Sequence, residues 1–189
     1  MGTLAKILAA TAGLLCMTAA PALAQDWPQK TVRFIVPFPP GGGTDVVARM
    51  VAKNLQDKLG QTIIVENRGG ANGAIGLMAV KQGLHDGYTF AFTSDTPMTV
   101  NPWLYKDLSY EPLKDFLPVT NGFFGAQIVI LNKDVPVTTL AELVAYSKQH
   151  PDKLNFASMG LGGDTHLIME WLKHATGAQI THVPYKGFP

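Results

Sequence analysis

The sequence predicts an α/β protein with a mainly parallel sheet. Short runs rich in β-branched and aromatic residues alternate along the chain with segments whose apolar residues recur at helical spacing. Several of these runs lead into loops of glycine, proline and small polar residues. Strands that alternate with helices form βαβ units, and such units build a parallel sheet. The length of 189 residues corresponds to about one domain.

The predicted elements follow one another in a regular order. The first part of the chain contains a strand at 31–36, a helix at 46–59, a strand at 62–65, a helix at 74–80 and a strand at 88–92. Residues 97–118 contain four prolines and predict an irregular connection with short helical turns. The second part contains a strand at 126–131, a helix from a cap at Thr138 or Thr139 to about His150, a strand at 154–157, a helix at 165–175 and a strand at 179–183.

The first 24 residues have the layout of a secretory signal peptide. Lys6 gives a basic start, residues 7–20 form an apolar stretch, and Ala22-Leu23-Ala24 is a small-x-small cleavage site. A membrane-spanning helix needs about 20 predominantly apolar residues, and this stretch is shorter. We therefore expect export, cleavage after Ala24, and no stable membrane insertion of the mature chain that begins at Gln25.

The composition of the mature chain excludes several partners. Lys6 is the only charged residue in the leader, so its removal leaves 14 basic and 14 acidic side chains. A balanced chain offers no basic surplus for nucleic acid or an anionic membrane surface. The single cysteine, Cys16, leaves with the leader, so disulfides do not contribute to the fold.

Four loops carry the candidate binding residues. Ligands of open α/β sheets lie beyond the carboxyl ends of the strands, and the loops 38–44, 67–73, 93–96 and 158–165 all follow predicted strands. Two of these loops lead into helices, whose free N–H groups favour an anion. Each loop alone has an ordinary interpretation as a βα turn with a helix cap. Their presence at one sheet edge favours a binding site.

Catalytic motifs are absent. A P-loop requires a lysine after Gly43, a dinucleotide fingerprint requires glycine where Val46 stands, and a nucleophile elbow requires glycine where Phe156 stands. The five histidines show no zinc-binding spacing. We expect no cofactor and no metal.

A hydrolase remains the alternative from another class. Ser158, Asp164 and His166 are close in sequence and could mimic a catalytic triad. A helix cap beside a hydrogen-bonded histidine explains the same residues more simply. The sequence thus favours a protein that binds a small ligand without transforming it.

A series of short motifs extends over essentially the whole mature chain. They are the run Ile35 to Asp45 with Ala48-Arg49, Val65 to Arg68, Asp86 to Thr89, Asn101-Pro102, Lys114 to Phe116, Leu154-Asn155 with Ser158 and Gly160, and His182 to Gly187. In this order they resemble the solute receptors of tripartite tricarboxylate transporters, also called Bug receptors.

The resemblance implies a periplasmic-binding-protein-like fold of type II, with two Rossmann-like lobes that close on a small carboxylate-bearing ligand in the periplasm. It implies a first lobe at residues 25–124 and a second at 125–189, after a signal peptide at 1–24. The implied partners are the membrane subunits of a transporter or the ectodomain of a sensor. No catalysis is implied.

The resemblance also assigns site residues. One wall of the cleft would comprise Phe38, Pro39, Pro40, Gly41, Gly42 and Thr44. Ser94, Asp95 and Thr96 would lie near the cleft by loop position. The facing wall would comprise Ser158, Gly160, Gly162, Gly163, Asp164, Thr165 and His166. Backbone amides, hydroxyls and ordered waters would hold the carboxylate.

The chain departs from the family pattern at three positions and at its end. Gly69 stands where a proline is usual, and Asp95 and Asp164 stand where small neutral residues are usual. Asp164 would repel a ligand carboxylate, bind a ligand ammonium, or simply cap a helix. Family members continue beyond Gly187, so we expect an incomplete second lobe, uncovered apolar side chains at Ile128, Ile130, Ile180 and Val183, and low solubility. A gene fragment without a working product is the corresponding alternative.

Overall fold

A computed structural model describes residues 26–185. The predicted signal peptide and the last residues of the final motif lie outside this range. Within it, the chain forms two parallel sheets connected by helices, as the alternating sequence pattern predicts. No helix among these residues is long and apolar enough to cross a membrane.

The N-terminal sheet has three strands in the order β2-β1-β3. Its strands are β1 (Val32–Val36), β2 (Ile63–Asn67) and β3 (Thr89–Ala91). β1 pairs in parallel with both neighbours, so its carboxyl end and theirs point to the same edge. We call this sheet and the helices α1 to α5 the N-terminal unit: α1 (Gly43–Leu59), α2 (Ala74–Lys81), α3 (Thr96–Thr99), α4 (Asn101–Leu104) and α5 (Pro112–Asp115).

Apolar packing on both faces fixes this sheet. Val32, Phe34 and Ile63 form a buried cluster with Ala52 of α1, because alternate strand residues face the amphipathic helix. On the other face, α2 approaches the end of β1 closely at Gly76, where a Cβ atom would lie 2.6 Å from Cβ of Pro37. The absence of a side chain at Gly76 therefore sets the position of α2 against the strand end.

The C-terminal sheet has two parallel strands, β4 (Asn155–Ser158) and β5 (Thr181–Pro184). We call this sheet and the helices α6 (Leu140–Gln149) and α7 (Asp164–Thr176) the C-terminal unit. Its core is small and consists of Leu143, Ala178 and Ile180 with partly buried neighbours. A capping box begins α6, since the Thr139 hydroxyl accepts from the Glu142 amide at 3.2 Å and the Glu142 carboxylate accepts from the Thr139 amide at 3.1 Å.

One predicted strand is wrong. Residues 126–131 form no strand, and Ile128 and Ile130 are 78% and 86% exposed. Their β-branched pattern suits a strand, but a strand exists only where a neighbour completes its hydrogen bonds, and no described strand pairs with this segment. Ile180 was also expected to be uncovered, and this expectation is wrong, because Ile180 is buried in the C-terminal core.

Candidate functional site

Two loops of matching sequence and shape enter the two long helices that follow β1 and β4. The sequence Gly-Gly-x-Thr occurs at 41–44 and again at 162–165. Gly41 and Gly162 are both left-handed, with φ of 85° and 76°. The next glycines, Gly42 and Gly163, are both extended N-cap residues, with φ and ψ of −71° and 164° and of −69° and 162°. Neither N-cap has a side chain, so neither supplies a capping oxygen to its helix.

The same local device fixes both loops. The Asp45 carboxylate accepts from the Gly41 amide at 2.9 Å, four residues earlier. In the other loop Nδ1 of His166 accepts from the Gly162 amide at 3.0 Å, with the same spacing. In each case the third helical residue holds the left-handed glycine in place.

Both helices begin with amides that are free to bind an anion. Hydrogen bonding within α1 starts where Val46 donates to Gly42, and within α7 where Leu167 donates to Gly163. The preceding amides of each first turn point beyond the helix, where the dipole favours negative charge. Among residues 26–185, the amides without a partner in these turns belong to Gly43, Thr44 and Asp45 in α1 and to Asp164 and His166 in α7.

A buried charged network supports the first loop. Asp45 is 3% exposed, and its carboxylate accepts from Nε of Arg49 at 3.0 Å and from Nδ2 of Asn67 at 2.9 Å. Asn67 also donates to the Phe38 carbonyl at 3.1 Å, which ties the loop to β2. The Arg49 hydrogen bond, aided by those from Gly41 and Asn67 and opposed by burial, lowers the pKa of Asp45 to about 2. The carboxylate is therefore charged at neutral pH.

A neutral network supports the second loop. The Ser158 side chain is fully buried, and its Oγ lies 2.6 Å from Nε2 of His182 and 3.2 Å from the Gly160 amide. His182 stacks on His166 with 4.0 Å between ring centroids. Burial, and secondly the neighbouring His166, hold the pKa of His182 below its usual value. Ser158 thus stabilises the loop through its hydrogen bond with the Gly160 amide.

The hydrolase arrangement suggested by the sequence is wrong. The histidine on Ser158 is His182, while Nδ1 of His166 is occupied by the Gly162 amide. Asp164 contacts neither ring, since its Oδ2 accepts from Nε2 of Gln127 at 2.9 Å and its Oδ1 from the Thr165 amide at 2.7 Å. Asp164 is also not the N-cap, because Gly163 occupies that position.

The other predicted loops gather at the same edge of the N-terminal sheet. Gly69 lies against Pro39, and Gly73 lies so close to Pro97 that a Cβ atom would be 2.7 Å from its Cγ. Ser94 is half-buried and Asp95 is exposed, but Thr96 is 4% exposed and packs inward. The remaining predicted residues lie as follows: Phe38 and Pro39 are half-buried, Pro40 is exposed, and Thr165 accepts from the Met159 amide at 3.1 Å through Oγ1.

The two units meet at these loops. Nδ2 of Asn72 lies 3.4 Å from the Gly162 carbonyl oxygen, and the Leu104 side chain packs on Gly162. Candidate loops of both sheets therefore lie where the two units touch. Sequence reasoning included Asn72 only as a member of the loop 67–73, and it missed His182 as part of the candidate site. The Gly-Gly-x-Thr repeat could have related the two loops to each other.

Other features of the described residues do not compete with this edge. No group of three or more histidine, cysteine, aspartate or glutamate side chains among residues 26–185 is placed to hold a metal ion. A recess of about 710 Å³ is lined by Arg33, Arg68, Ala71 and Met78, among others, and by no residue of either Gly-Gly-x-Thr loop.

Two parallel sheets with helices, in contact through their loops, are the architecture of an α/β solute-binding protein. Solved structures share this fold. An R. palustris protein with adipate is 38% identical, with a TM-score of 0.76 over 86% of this chain and 54% of that one. MatC from Rhodopseudomonas palustris with bound malate is 31% identical, with a TM-score of 0.70 over 85% and 55% of the two chains. These similarities confirm the predicted periplasmic-binding-protein class.

The chain belongs to the tripartite tricarboxylate transporter family of receptors, whose family model matches residues 47–188. Protein BugT of Bordetella pertussis is 40% identical over 182 residues, which are 96% of this chain and 55% of that protein. The chain spans about half the length of the curated relatives it matches. The family is one of periplasmic solute-binding receptors rather than enzymes, as the missing catalytic motifs indicated.

Proposed function

We propose that this chain forms the ligand-binding edge of a periplasmic receptor that captures a small carboxylate and presents it to a tripartite tricarboxylate-type transporter. Family membership and the relatives solved with malate and adipate support a carboxylate ligand. Delivery to a sensor ectodomain is the alternative use of the same site. Export by the signal peptide, with cleavage after Ala24, belongs to this proposal, and N-terminal sequencing of periplasmic material tests it.

The pair of helix starts is the observation on which the proposal rests. The free amides of α1 and α7 would supply neutral donors to the ligand from both units, and such donors bind an anion without a buried arginine. In the first loop the charge of Asp45 is balanced by Arg49, so it does not cancel the attraction of the helix start. Phe38 and Pro39 would form an apolar wall beside the carboxylate.

Substitution of Gly42 by valine tests the site directly. Gly42 is an extended residue, so Gly42→Val is compatible with the backbone, while its side chain would obstruct the approach of a ligand to the α1 amides. We expect calorimetric binding of malate and adipate to be lost and the circular dichroism spectrum to be retained. Gly125→Val is the matched control, because Gly125 is exposed with nothing within 4 Å of its Cβ position. Equal affinity in Gly42→Val and wild type would remove this loop from the site.

A further inference from the structure

A turn with unusual backbone geometry lies between β2 and α2. Residues Ala71, Asn72 and Gly73 form a 3-10 turn in which all three φ angles are positive, at 48°, 49° and 86°. Non-glycine residues rarely adopt this region, although asparagine tolerates it better than most. Such strain persists only where surrounding contacts hold it, and it is concentrated at ligand clamps and switch regions.

A buried asparagine pair holds this turn. Asn101 is fully buried, and its Oδ1 accepts from Nδ2 of Asn72 at 2.7 Å. In return, Nδ2 of Asn101 donates to the Asn72 carbonyl at 3.0 Å and to the Tyr110 hydroxyl oxygen at 3.2 Å. These contacts fix both the left-handed backbone and the orientation of the Asn72 amide group.

The fixed amide group points across to the C-terminal unit. Nδ2 of Asn72 carries a second hydrogen, and the Gly162 carbonyl oxygen lies 3.4 Å away, ninety residues further along the chain. Leu104, at the end of α4, packs on Gly162 so closely that a Cβ atom there would overlap its Cδ1 atom. Gly162 is the left-handed glycine that precedes the start of α7. The turn and α4 therefore touch the second Gly-Gly-x-Thr loop at its left-handed glycine.

We propose that Asn72 is a positioning residue that holds the Gly162 loop against the N-terminal unit and thereby sets the separation of the two helix starts. Its role in ligand affinity rests on the proposed function. Its role in the separation of the two units does not. Leu104 contributes the apolar part of the same contact.

A distance measurement without ligand tests this role. Spin labels at Lys53→Cys on α1 and His174→Cys on α7 report the separation of the units, because both positions are exposed and the only natural cysteine lies in the predicted leader. Asn72→Asp keeps the size and left-handed tolerance of the residue but removes both N–H donors. We expect a longer and broader distance distribution, and a fall of about three- to tenfold in malate affinity, the size of one net hydrogen bond.

Matched variants separate the positioning role from general destabilisation. Asn54→Asp on α1 is the control for charge, since Asn54 is exposed and bonds only to the Met50 carbonyl of its own helix. Leu104→Ala tests the apolar part without touching Asn101, and Leu113→Ala, at a 96% exposed residue, is its control. We expect Leu104→Ala to lengthen the label distance and both controls to leave it unchanged. If Asn72→Asp does not fold, Leu104→Ala decides.

Unchanged label distances in both Asn72→Asp and Leu104→Ala would overturn the proposal. A wild-type chain that binds neither malate nor adipate would overturn the proposed function alone. Longer label distances in that case would still support the positioning role of Asn72.

Discussion

The N-terminal and C-terminal units arrive at one backbone shape by different chemistry. Each has a left-handed glycine, an extended glycine and a helix start with free amides. In the first unit a buried carboxylate balanced by an arginine holds the glycine, whereas in the second Nδ1 of the His166 imidazole does so. The first unit also has a three-stranded sheet, and the second has two strands over a small core. The comparison shows that the two units share a backbone geometry but hold it with different side chains. We therefore expect the two units to respond differently to substitution and to pH.

The largest expected effect is the loss of the charged support in the first unit. Asp45→Ala would leave the Gly41 amide and Nδ2 of Asn67 without this acceptor and Arg49 without its carboxylate partner. We expect a loss of about 2–3 kcal/mol in the free energy of unfolding, measured by urea denaturation. Asp57→Ala, at an exposed position on the same helix, should change it by less than about 0.5 kcal/mol. Equal losses in the two variants would contradict the structural role of Asp45.

The next expected effect is that the two units lose stability at different pH values. The pKa of Asp45 is lowered from 3.8 to about 2, so its stabilisation is present above about pH 4 and is lost as the pH falls toward 2. The pKa of His182 is lowered from 6.5 because burial favours the neutral ring. Its stabilisation is therefore present above pH 6.5 and is lost as the pH falls below that value through the folded-state pKa. The C-terminal unit should loosen at milder acidity than the N-terminal unit.

NMR signals of buried alanines can measure the pH at which each unit loosens. Ala52 reports the N-terminal core and Ala178 the C-terminal core during a titration from about pH 7 to about pH 2. His182→Gln should remove the mild-acid change at Ala178, and His174→Gln, at an exposed histidine, should retain it. Simultaneous loss of both signals would mean that the two supports do not titrate independently.

The smallest expected effect concerns the charge on the first residue of α7. α1 begins with Gly43 and α7 with Asp164, a half-buried carboxylate bonded to Gln127. Asp164→Asn keeps the shape and removes a negative charge at the start of α7, which is part of the proposed anion site. We expect malate affinity to rise about two- to fivefold at low salt and less at high salt. Asp134→Asn, at an exposed residue away from α7, should leave the affinity unchanged. A weaker affinity for Asp164→Asn would indicate that the carboxylate binds a donor group of the ligand.

The sequence predicted well those elements that are stabilised by interactions within their own segment. The helical spacing of apolar residues predicted α1, α2 and α7. The sequence predicted that α6 is capped by Thr138 or Thr139, and the capping box shows that the cap is Thr139. The strand at 126–131 was predicted wrongly because strand formation depends on a neighbour that a single segment cannot reveal. The boundary between the proposed lobes near residue 124 stays a prediction.

The candidate site was predictable as loops but not as contacts. The carboxyl ends of parallel strands bring the loops together, and glycine content identifies which loops can approach a ligand. The pairing of Ser158 with His182 depends on the register of β4 and β5, and the reach of Asn72 depends on a left-handed turn. Asp45 and His166 perform the same task with different side chains, so residue identity alone did not relate them.

The donors at the two helix starts are backbone amides, and this has a consequence for how the proposed site could change by mutation. Amides at Gly43 and Thr44 are retained whatever side chains surround them, so mutation cannot easily delete the attraction for an anion. A side chain at Gly43 would meet no atom within 4 Å, and α7 begins with an aspartate, so the first helical residue differs between the two starts. Under the proposed function, a change of this first side chain would alter which anion is preferred, while the amides that attract a negative group would be kept with the backbone.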